Sequence, residues 1–189
     1  GMYIDLDLTK FDFLKVPSAE MGNRELVSGL LDVGCDVLVS TGMHTDEEIR
    51  GLIAWCQDSR RLILLHSVSN YPTRLENSQL GGIRRLKSIF SGRIGYSSHD
   101  SDWETCLVAL GIGIDYLERH VTIDKEMDGV DHSSSSTFDE VARLADYCRL
   151  AAAGQYLDSP RVVNQGEKMA LQNIGRGLYA KSDLSAGTK

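Results

Sequence analysis

The fold is decided by the stretch DVLVSTGMHTDEEIRGLIAWCQ, residues 36–57, which joins a strand-like run to a helix-like run. The first part, DVLVSTG, is rich in valine and leucine, as buried strands are. In the second part, Thr45 and Glu48 have the spacing of a capping box, in which a hydroxyl and a carboxylate bond the first free amides of a helix. The stretch therefore predicts a β-strand followed at once by an α-helix.

The same order recurs along the chain. Four further β-rich runs are each followed by a helical pattern: FLKVPSA from Phe13, LILLHSV from Leu62, RIGYSSH from Arg93 and DYLERHV from Asp115. Two more capping boxes are predicted, by Ser101 with Glu104 and by Thr137 with Glu140. Alternating strands and helices predict parallel pairing, because a right-handed helical crossover returns the chain to the same edge. The predicted class is α/β, either an open doubly wound sheet or a closed (β/α)8 barrel.

Polar side chains accumulate at the carboxyl ends of the predicted strands, where both architectures bind their ligands. The set is Lys15, Ser18, Glu20, Ser40, Thr41, His66, Ser69, Ser97, His99, Glu118 and His120. A barrel mouth built from successive strand ends explains this convergence. No GxGxxG follows the first strand, which disfavours a dinucleotide-binding site.

The composition points to a small-molecule ligand. The net charge is −7 and the basic residues are scattered, so nucleic acid and anionic membranes are not expected partners. The longest apolar stretch, CLVALGIGI, is much shorter than the roughly 20 residues of a membrane-spanning helix. The four cysteines show no CxxC spacing and lie in or beside apolar runs, which favours buried thiols and a cytoplasmic location.

His99 and His120 end two successive predicted strands. Adjacent parallel strands lie about 4.8 Å apart, so the two imidazoles are candidates to share one metal ion. Two histidine ligands alone would leave coordination positions open, which suits a catalytic site better than a structural one. The alternative is that each imidazole is only hydrogen-bonded at its strand end.

Three further features point to a polar ligand. Lys15 is flanked by apolar residues, which favours contact with a phosphate or a carboxylate; an ion pair with Glu20 is the alternative. The segment SNYPT, residues 69–73, places hydroxyls and an amide at the third strand end, although it also reads as a simple turn. The long loop after His120 carries Asp131 and is typical of substrate-holding loops, with a solvated acidic loop as the alternative. These residues predict a site for a phosphorylated, carbonyl-bearing small molecule.

Five ordered motifs resemble the sialic acid (N-acetylneuraminate) synthase family of (β/α)8 barrels: KVPSAE, VLVSTGM, LLHSVSNYPT, GYSSH and LERHVTIDKEMDGVDHSSS. The resemblance runs from about Phe11 to Gly187. It implies that residues 2–156 form a partial barrel of about five β/α units, equivalent to strands four to eight. Residues 157–189 would be a linker and the start of a truncated antifreeze-like (SAF) domain, with a short strand in RGLYAKSDL.

The resemblance implies condensation of phosphoenolpyruvate with N-acetylmannosamine or a related N-acetyl sugar. A divalent metal, Mn²⁺ or Mg²⁺, would be held by His99 and His120 and would polarise the sugar aldehyde, and Glu20 matches an acidic catalytic residue near that metal. The implied substrate-binding residues are Lys15, Ser18, Ser69 and Ser97 for the phosphate, Ser40 for the carboxylate, and Tyr71 and Asp131 for the sugar.

The sequence departs from the family at several positions, two of which lie beside candidate site residues. Ser98 stands where the motif G-x-S-D-H has aspartate, and Val130 stands where proline precedes Asp131. A complete barrel needs about 250 residues, so we expect a homodimer, or pairing with a chain that supplies the other half. Two alternatives remain open: a non-catalytic sugar-phosphate or metal-binding remnant or assembly subunit, and another phosphoenolpyruvate-dependent keto-sugar-acid synthase.

Overall fold

The computed structural model describes residues 7–56, 60–154 and 161–188, and the chain divides into two compact units, residues 1–153 and 154–189. The first unit contains one five-stranded sheet. Its strands are β1 (Phe13–Val16), β2 (Asp36–Ser40), β3 (Leu62–Ser67), β4 (Arg93–Ser98) and β5 (Tyr116–Arg119). All four pairings are parallel and follow the order of the chain. This sheet confirms the α/β class and the partial barrel.

Helices follow the strands as predicted. They are α1 (Arg24–Val33), α2 (Asp46–Trp55), α3 (Gly81–Ile89), α4 (Thr105–Ile112) and α5 (Phe138–Gly154). Two of the three predicted capping boxes are confirmed, since Thr45 with Glu48 and Thr137 with Glu140 form reciprocal hydrogen bonds. None of the described helices is long and apolar enough to cross a membrane.

The capping box predicted for Ser101 and Glu104 is wrong. Helix α4 begins at Thr105, and Glu104 occupies the N-cap position without a side-chain hydrogen bond. The amide of Ser101 instead donates to the carbonyl oxygen of Thr73 at 3.2 Å. Ser101 is therefore tied to the loop after β3, and the helix starts one turn later.

The two faces of the sheet have different surroundings. The main hydrophobic core lies between the sheet and the helices, and includes Val37, Val39, Leu62, Leu64, Ile94, Leu52, Ile83, Leu86 and Ala109. On the other face, Leu38, Ile63 and Leu65 form a small cluster with Tyr116. Because side chains alternate along a strand, residues two positions beyond this cluster share its face. Ser40, Ser67 and Glu118 therefore lie on the face that would line the interior of a barrel.

An ion pair ties three strands together at their amino ends. Both guanidinium Nη atoms of Arg93 donate to the carboxylate of Asp36 at 2.6 Å, and Nη1 also donates to the Tyr116 hydroxyl at 2.9 Å. Hydrogen bonding from Arg93 lowers the pKa of Asp36 below its ordinary value. These contacts hold β2, β4 and β5 together at the end of the sheet opposite the predicted site.

The second unit differs from the prediction. A helix, α6 (Gln165–Ile174), occupies part of the predicted linker, and Asn164 and Glu167 form its capping box. The strand predicted in RGLYAKSDL is wrong, because no strand occurs in described residues 161–188 and the segment is exposed along its length. The boundary predicted between residues 156 and 157 lies outside the described residues, so the two-domain division remains a prediction.

Candidate active site at the carboxyl ends of the strands

His99 and His120 lie side by side where β4 and β5 end. Their ring centroids are 5.3 Å apart. His99 is buried, and its Nδ1 lies 3.0 Å from the carbonyl oxygen of Val68. Because a carbonyl oxygen only accepts, Nδ1 carries the proton and Nε2 of the neutral ring keeps its lone pair. Burial lowers the pKa of His99, which favours that neutral, ligating form.

The two predicted sugar-contacting residues lie beside these histidines. The Tyr71 ring centroid is 4.3 Å from that of His99 and 6.2 Å from that of His120. Asp131 Oδ2 is 3.6 Å from His120 Nδ1. Burial raises the pKa of Tyr71, and the charges of Asp131 and Glu118 add to the effect. The phenol therefore remains protonated and can donate a hydrogen bond.

Lys15 forms an ion pair across the mouth of the partial barrel. Its Nζ is 3.1 Å from Glu118 Oε2, although Lys15 lies on β1 and Glu118 on β5. Both side chains are about one-third exposed. The alternative in which Lys15 pairs with Glu20 is wrong: the Glu20 carboxylate accepts a hydrogen bond from Asn23 Nδ2 at 2.8 Å. The Lys15 ammonium is therefore paired with the Glu118 carboxylate within the predicted site.

Ser18 and Ser69 converge on the backbone of Gly42. A Cβ added at Gly42 would lie 2.6 Å from Ser69 Oγ and 2.8 Å from Ser18 Oγ. The absence of a side chain at this position keeps both hydroxyls accessible to one small space. A cavity of about 390 Å³ opens beside it and is lined by Thr41, Ser67, Ser69 and Asn70 among other residues. Hydroxyls around a glycine backbone are a donor set that suits a phosphate.

Ser40 and Ser97 are both buried on the interior side of the sheet. Ser97 pairs in register with Ser67 on one side and Glu118 on the other. The hydroxyls of Ser40 and Ser67 are buried and have no hydrogen-bond partner among the described residues. Buried hydroxyls normally have a partner, so these two are candidates to bond a ligand or water.

Glu20, the predicted acidic residue of the metal site, makes no contact with the histidines in the structure. It lies in a short turn after β1 with an exposed side chain. In the described part of the chain, no three His, Cys, Asp or Glu side chains form a group that could hold a metal ion. The described residues thus offer the two imidazoles of His99 and His120 as candidate ligands. The place of Glu20 near a metal remains a prediction.

Two charged residues next to the histidines, Asp100 and Arg119, received no functional role from the sequence. Asp100 is 1% exposed, accepts a hydrogen bond from the Tyr96 hydroxyl, and accepts another from Ser98 Oγ at 2.7 Å. Arg119 Nη1 donates to the same Ser98 oxygen at 2.8 Å. The available signal was a charged residue beside each histidine, but the contact between them depends on how β4 and β5 pair.

The fold and this cluster define a (β/α)-barrel type of protein with a candidate active site at the carboxyl ends of its strands. The sequence pattern of the NeuB family matches residues 5–155. The chain therefore belongs to the NeuB family, which confirms the resemblance to sialic acid synthases.

Two relatives match almost the whole of this chain. The chain is 31% identical over 193 residues to an uncharacterised protein of Methanocaldococcus jannaschii, covering 98% of this chain and 56% of the relative. It is 28% identical over 177 residues to the N,N'-diacetyllegionaminic acid synthase of Campylobacter jejuni, covering 92% of this chain and 53% of the relative. The chain thus spans about half the length of the curated relatives it matches.

A solved structure shares the fold. The crystal structure of the N-acetylneuraminic acid (sialic acid) synthetase of Leptospira borgpetersenii, in complex with citrate, matches with a TM-score of 0.75 and 29% sequence identity. The match covers 89% of this chain and 60% of the crystallised chain. The two of these relatives that carry a functional name are thus sugar-acid synthases, and the fold of the crystallised one includes the half-barrel described above.

Proposed function

We propose that this chain carries the phosphoenolpyruvate- and metal-binding side of a synthase site that uses an N-acetyl sugar, with N-acetylmannosamine as the first candidate. The observation that carries the proposal is the histidine pair, with ring centroids 5.3 Å apart and the Nε2 of His99 available as a ligand. Tyr71 and Asp131 beside this pair supply hydrogen-bonding groups for a sugar.

His99 and His120 would hold the divalent ion, with Mn²⁺ the first candidate and Mg²⁺ the second. Imidazole nitrogens suit a first-row transition metal such as Mn²⁺ better than they suit Mg²⁺, which prefers oxygen ligands. When bound, the ion would act as a Lewis acid toward the aldehyde oxygen of the sugar.

Lys15, Ser18 and Ser69 would hold the phosphate of phosphoenolpyruvate. The hydroxyls around Gly42 would donate hydrogen bonds to phosphate oxygens, and the Lys15 ammonium would exchange Glu118 for the more highly charged phosphate. Ser97 would complete the phosphate contacts. Ser40, whose hydroxyl has no partner among the described residues, would bond the carboxylate.

The protonated Tyr71 hydroxyl would donate to a sugar oxygen, and the Asp131 carboxylate would accept from a sugar hydroxyl. In the reaction the methylene carbon of phosphoenolpyruvate would bond to the aldehyde carbon, and the hydroxyl of a water molecule would add to the neighbouring enol carbon while the proton of that water ends on the former aldehyde oxygen. The bond from the enol carbon to the phosphate oxygen then breaks, which releases inorganic phosphate and leaves a keto group. One phosphate is therefore released for each aldehyde consumed, and phosphate release measures the reaction.

We also propose that a second copy, or a chain carrying further strands, completes the barrel wall opposite the histidines. Strands β1 and β5 each pair with only one neighbour among the described strands. Phe13 on β1 is 52% exposed, so its ring is available to pack against a further strand. Light scattering coupled to size-exclusion chromatography distinguishes a homodimer from a monomer that awaits a different chain.

The reaction is tested by incubating the purified chain with phosphoenolpyruvate, Mn²⁺ and N-acetylmannosamine and measuring released phosphate. We expect release that depends on both the sugar and the metal, and the same chain carrying Tyr71→Phe should need a higher sugar concentration. Release with an aldose phosphate that lacks an N-acetyl group, but not with N-acetylmannosamine, would point instead to another keto-sugar-acid synthase.

A second candidate is a non-catalytic phosphate- and metal-binding chain or assembly subunit. It is favoured by the two edges of the sheet, since β1 and β5 each pair with only one neighbour among the described strands. Calorimetry separates the two functions: binding of phosphoenolpyruvate and Mn²⁺ without phosphate release, with or without sugar, supports the second candidate. If neither ligand binds, both candidates are excluded for this chain.

A further inference from the structure

A network of hydrogen-bonded polar side chains lies behind the two histidines, on the side of the sheet that faces the helices. Its members flank the histidines in sequence: Ser98 and Asp100 enclose His99, and Arg119 precedes His120. Side chains of consecutive residues in extended backbone point in opposite directions. The histidines therefore face the mouth while their neighbours lie on the other side.

The hydrogen bonds of this network continue without a gap from β4 to β5. Ser98 has one hydroxyl proton, which it donates to Asp100 Oδ2 at 2.7 Å, and its oxygen accepts from Arg119 Nη1 at 2.8 Å. Arg119 Nε donates to Ser136 Oγ at 2.8 Å. The amide of Ser136 in turn donates to the backbone carbonyl of His120 at 2.9 Å. The network thus joins the backbone of His120 to the residues that flank His99.

This arrangement holds two opposite charges together through one hydroxyl. Asp100 and Ser98 are each 1% exposed and Ser136 is fully buried. Removal of Arg119 would leave the buried Asp100 carboxylate without its counterion, which proteins tolerate poorly, and removal of Asp100 would leave the half-buried Arg119 guanidinium without its own. A fully apolar contact could fill the same space, but only directional hydrogen bonds hold the two backbone segments that carry His99 and His120 in a fixed relation.

We infer that Asp100 is a positioning residue, which acts through Ser98 and Arg119 to set the spacing of the His99 and His120 imidazoles. The inference rests on the proposed function, in which these imidazoles share a metal ion. Residues 98 and 100 lie two positions apart and so reach the same side of the chain. Asp100 therefore supplies the carboxylate that the sequence lacks at position 98.

Three variants test the inference: Asp100→Ser, the exchange Ser98→Asp with Asp100→Ser, and Asp102→Ser as the matched control. Asp102 is an exposed carboxylate in the following turn. The first readout is heteronuclear NMR of the imidazole nitrogens, which reports tautomer and surroundings of each histidine. The second is Mn²⁺ affinity by electron paramagnetic resonance, and the third is unfolding in urea.

We expect Asp100→Ser to shift the ring signals of both His99 and His120 and to weaken Mn²⁺ binding about tenfold, as loss of groups that orient a ligand does. The exchange variant should restore the ring signals and the affinity, and Asp102→Ser should change neither. Should Asp100→Ser fail to fold, Asp100→Asn, which keeps the shape and one acceptor, replaces it.

Unchanged ring signals in a folded Asp100→Ser or Asp100→Asn variant overturn the inference. So does an exchange variant that regains the stability of the native chain in urea without regaining the ring signals, because the carboxylate would then be structural only. If the native chain binds no Mn²⁺ while the ring signals respond as expected, the proposed metal function is overturned and the positioning role stands.

Discussion

Lys15 of β1 and Glu118 of β5 form an ion pair, with 3.1 Å between Nζ and Oε2, although three strands lie between them. In a flat sheet, four interstrand steps of about 4.8 Å would separate β1 from β5 by about 19 Å, more than the two side chains can span. The ion pair can form only because the sheet is curved. It also places a cation and an anion at the mouth where the histidines lie.

Replacing Lys15 by methionine removes the cation and keeps the apolar stem. We expect the affinity for phosphoenolpyruvate, measured by calorimetry, to fall about tenfold or more, because hydrogen bonds to charged groups contribute about 1.5–3 kcal/mol. The free energy of unfolding should change by less than about 1 kcal/mol, since the pair is partly exposed. Lys10→Met, at an exposed pair with Asp7, is the matched control and should leave both quantities unchanged. Unaltered affinity in Lys15→Met contradicts the phosphate-binding role of Lys15.

Gly42→Ala should block the space between Ser18 and Ser69. The new methyl group would lie within 2.8 Å of both hydroxyl oxygens, so the serines must move or the phosphate must be excluded. We expect about tenfold weaker binding of inorganic phosphate and of phosphoenolpyruvate, equivalent to about 1.4 kcal/mol.

The control for Gly42→Ala is Gly51→Ala, inside α2, where no heavy atom lies within 4 Å of the added Cβ. This change should leave ligand affinity unaltered and raise the free energy of unfolding by about 0.5–1 kcal/mol, because alanine is the better helix former. Equal ligand affinity in both variants would show that the space at Gly42 does not receive phosphate.

Because of Asp36, the free energy of unfolding should decrease as the pH falls in the acid range. Hydrogen bonds from Arg93 lower its pKa in the folded chain, so its contribution is present above the ordinary pKa of about 3.9 and is lost as pH falls through the lowered folded value. We expect Asp36→Asn to cost about 1–3 kcal/mol at neutral pH and to show a shallower loss of stability below about pH 4.

Urea unfolding at a series of pH values measures this effect. Asp46→Asn breaks a more exposed ion pair with Arg85 and should cost less than about 1 kcal/mol at neutral pH. Identical acid profiles for the native chain and Asp36→Asn would show that the Arg93 pair does not set the acid stability.

The order of strands and helices was predictable because it depends on local signals. Thr45 and Glu48 lie three residues apart, and the helix they cap begins at the next residue, Asp46. At Ser101 the same local signal failed, because the Ser101 amide is used by a hydrogen bond to Thr73, far away in the chain. Tertiary hydrogen bonding thus overrode a capping pattern that was correct elsewhere.

The site was predictable where it depends on strand register and not where it depends on curvature. His99 and His120 were placed together because adjacent parallel strands bring equivalent ends into contact. The pairing of Lys15 with Glu118 requires the curl of the whole sheet, and the link from Asp100 to Arg119 requires a hydroxyl between them. Neither is visible in spacing along the chain.

The shared metal ion is tested most directly by electron paramagnetic resonance of Mn²⁺ titrated into the native chain and into a His99→Ala, His120→Ala double variant, each with phosphoenolpyruvate present. We expect one bound Mn²⁺ in the native chain and an affinity about a hundredfold lower in the double variant, since loss of groups that only orient a ligand already costs about tenfold. Equal Mn²⁺ affinity in a folded double variant would contradict the shared metal ion.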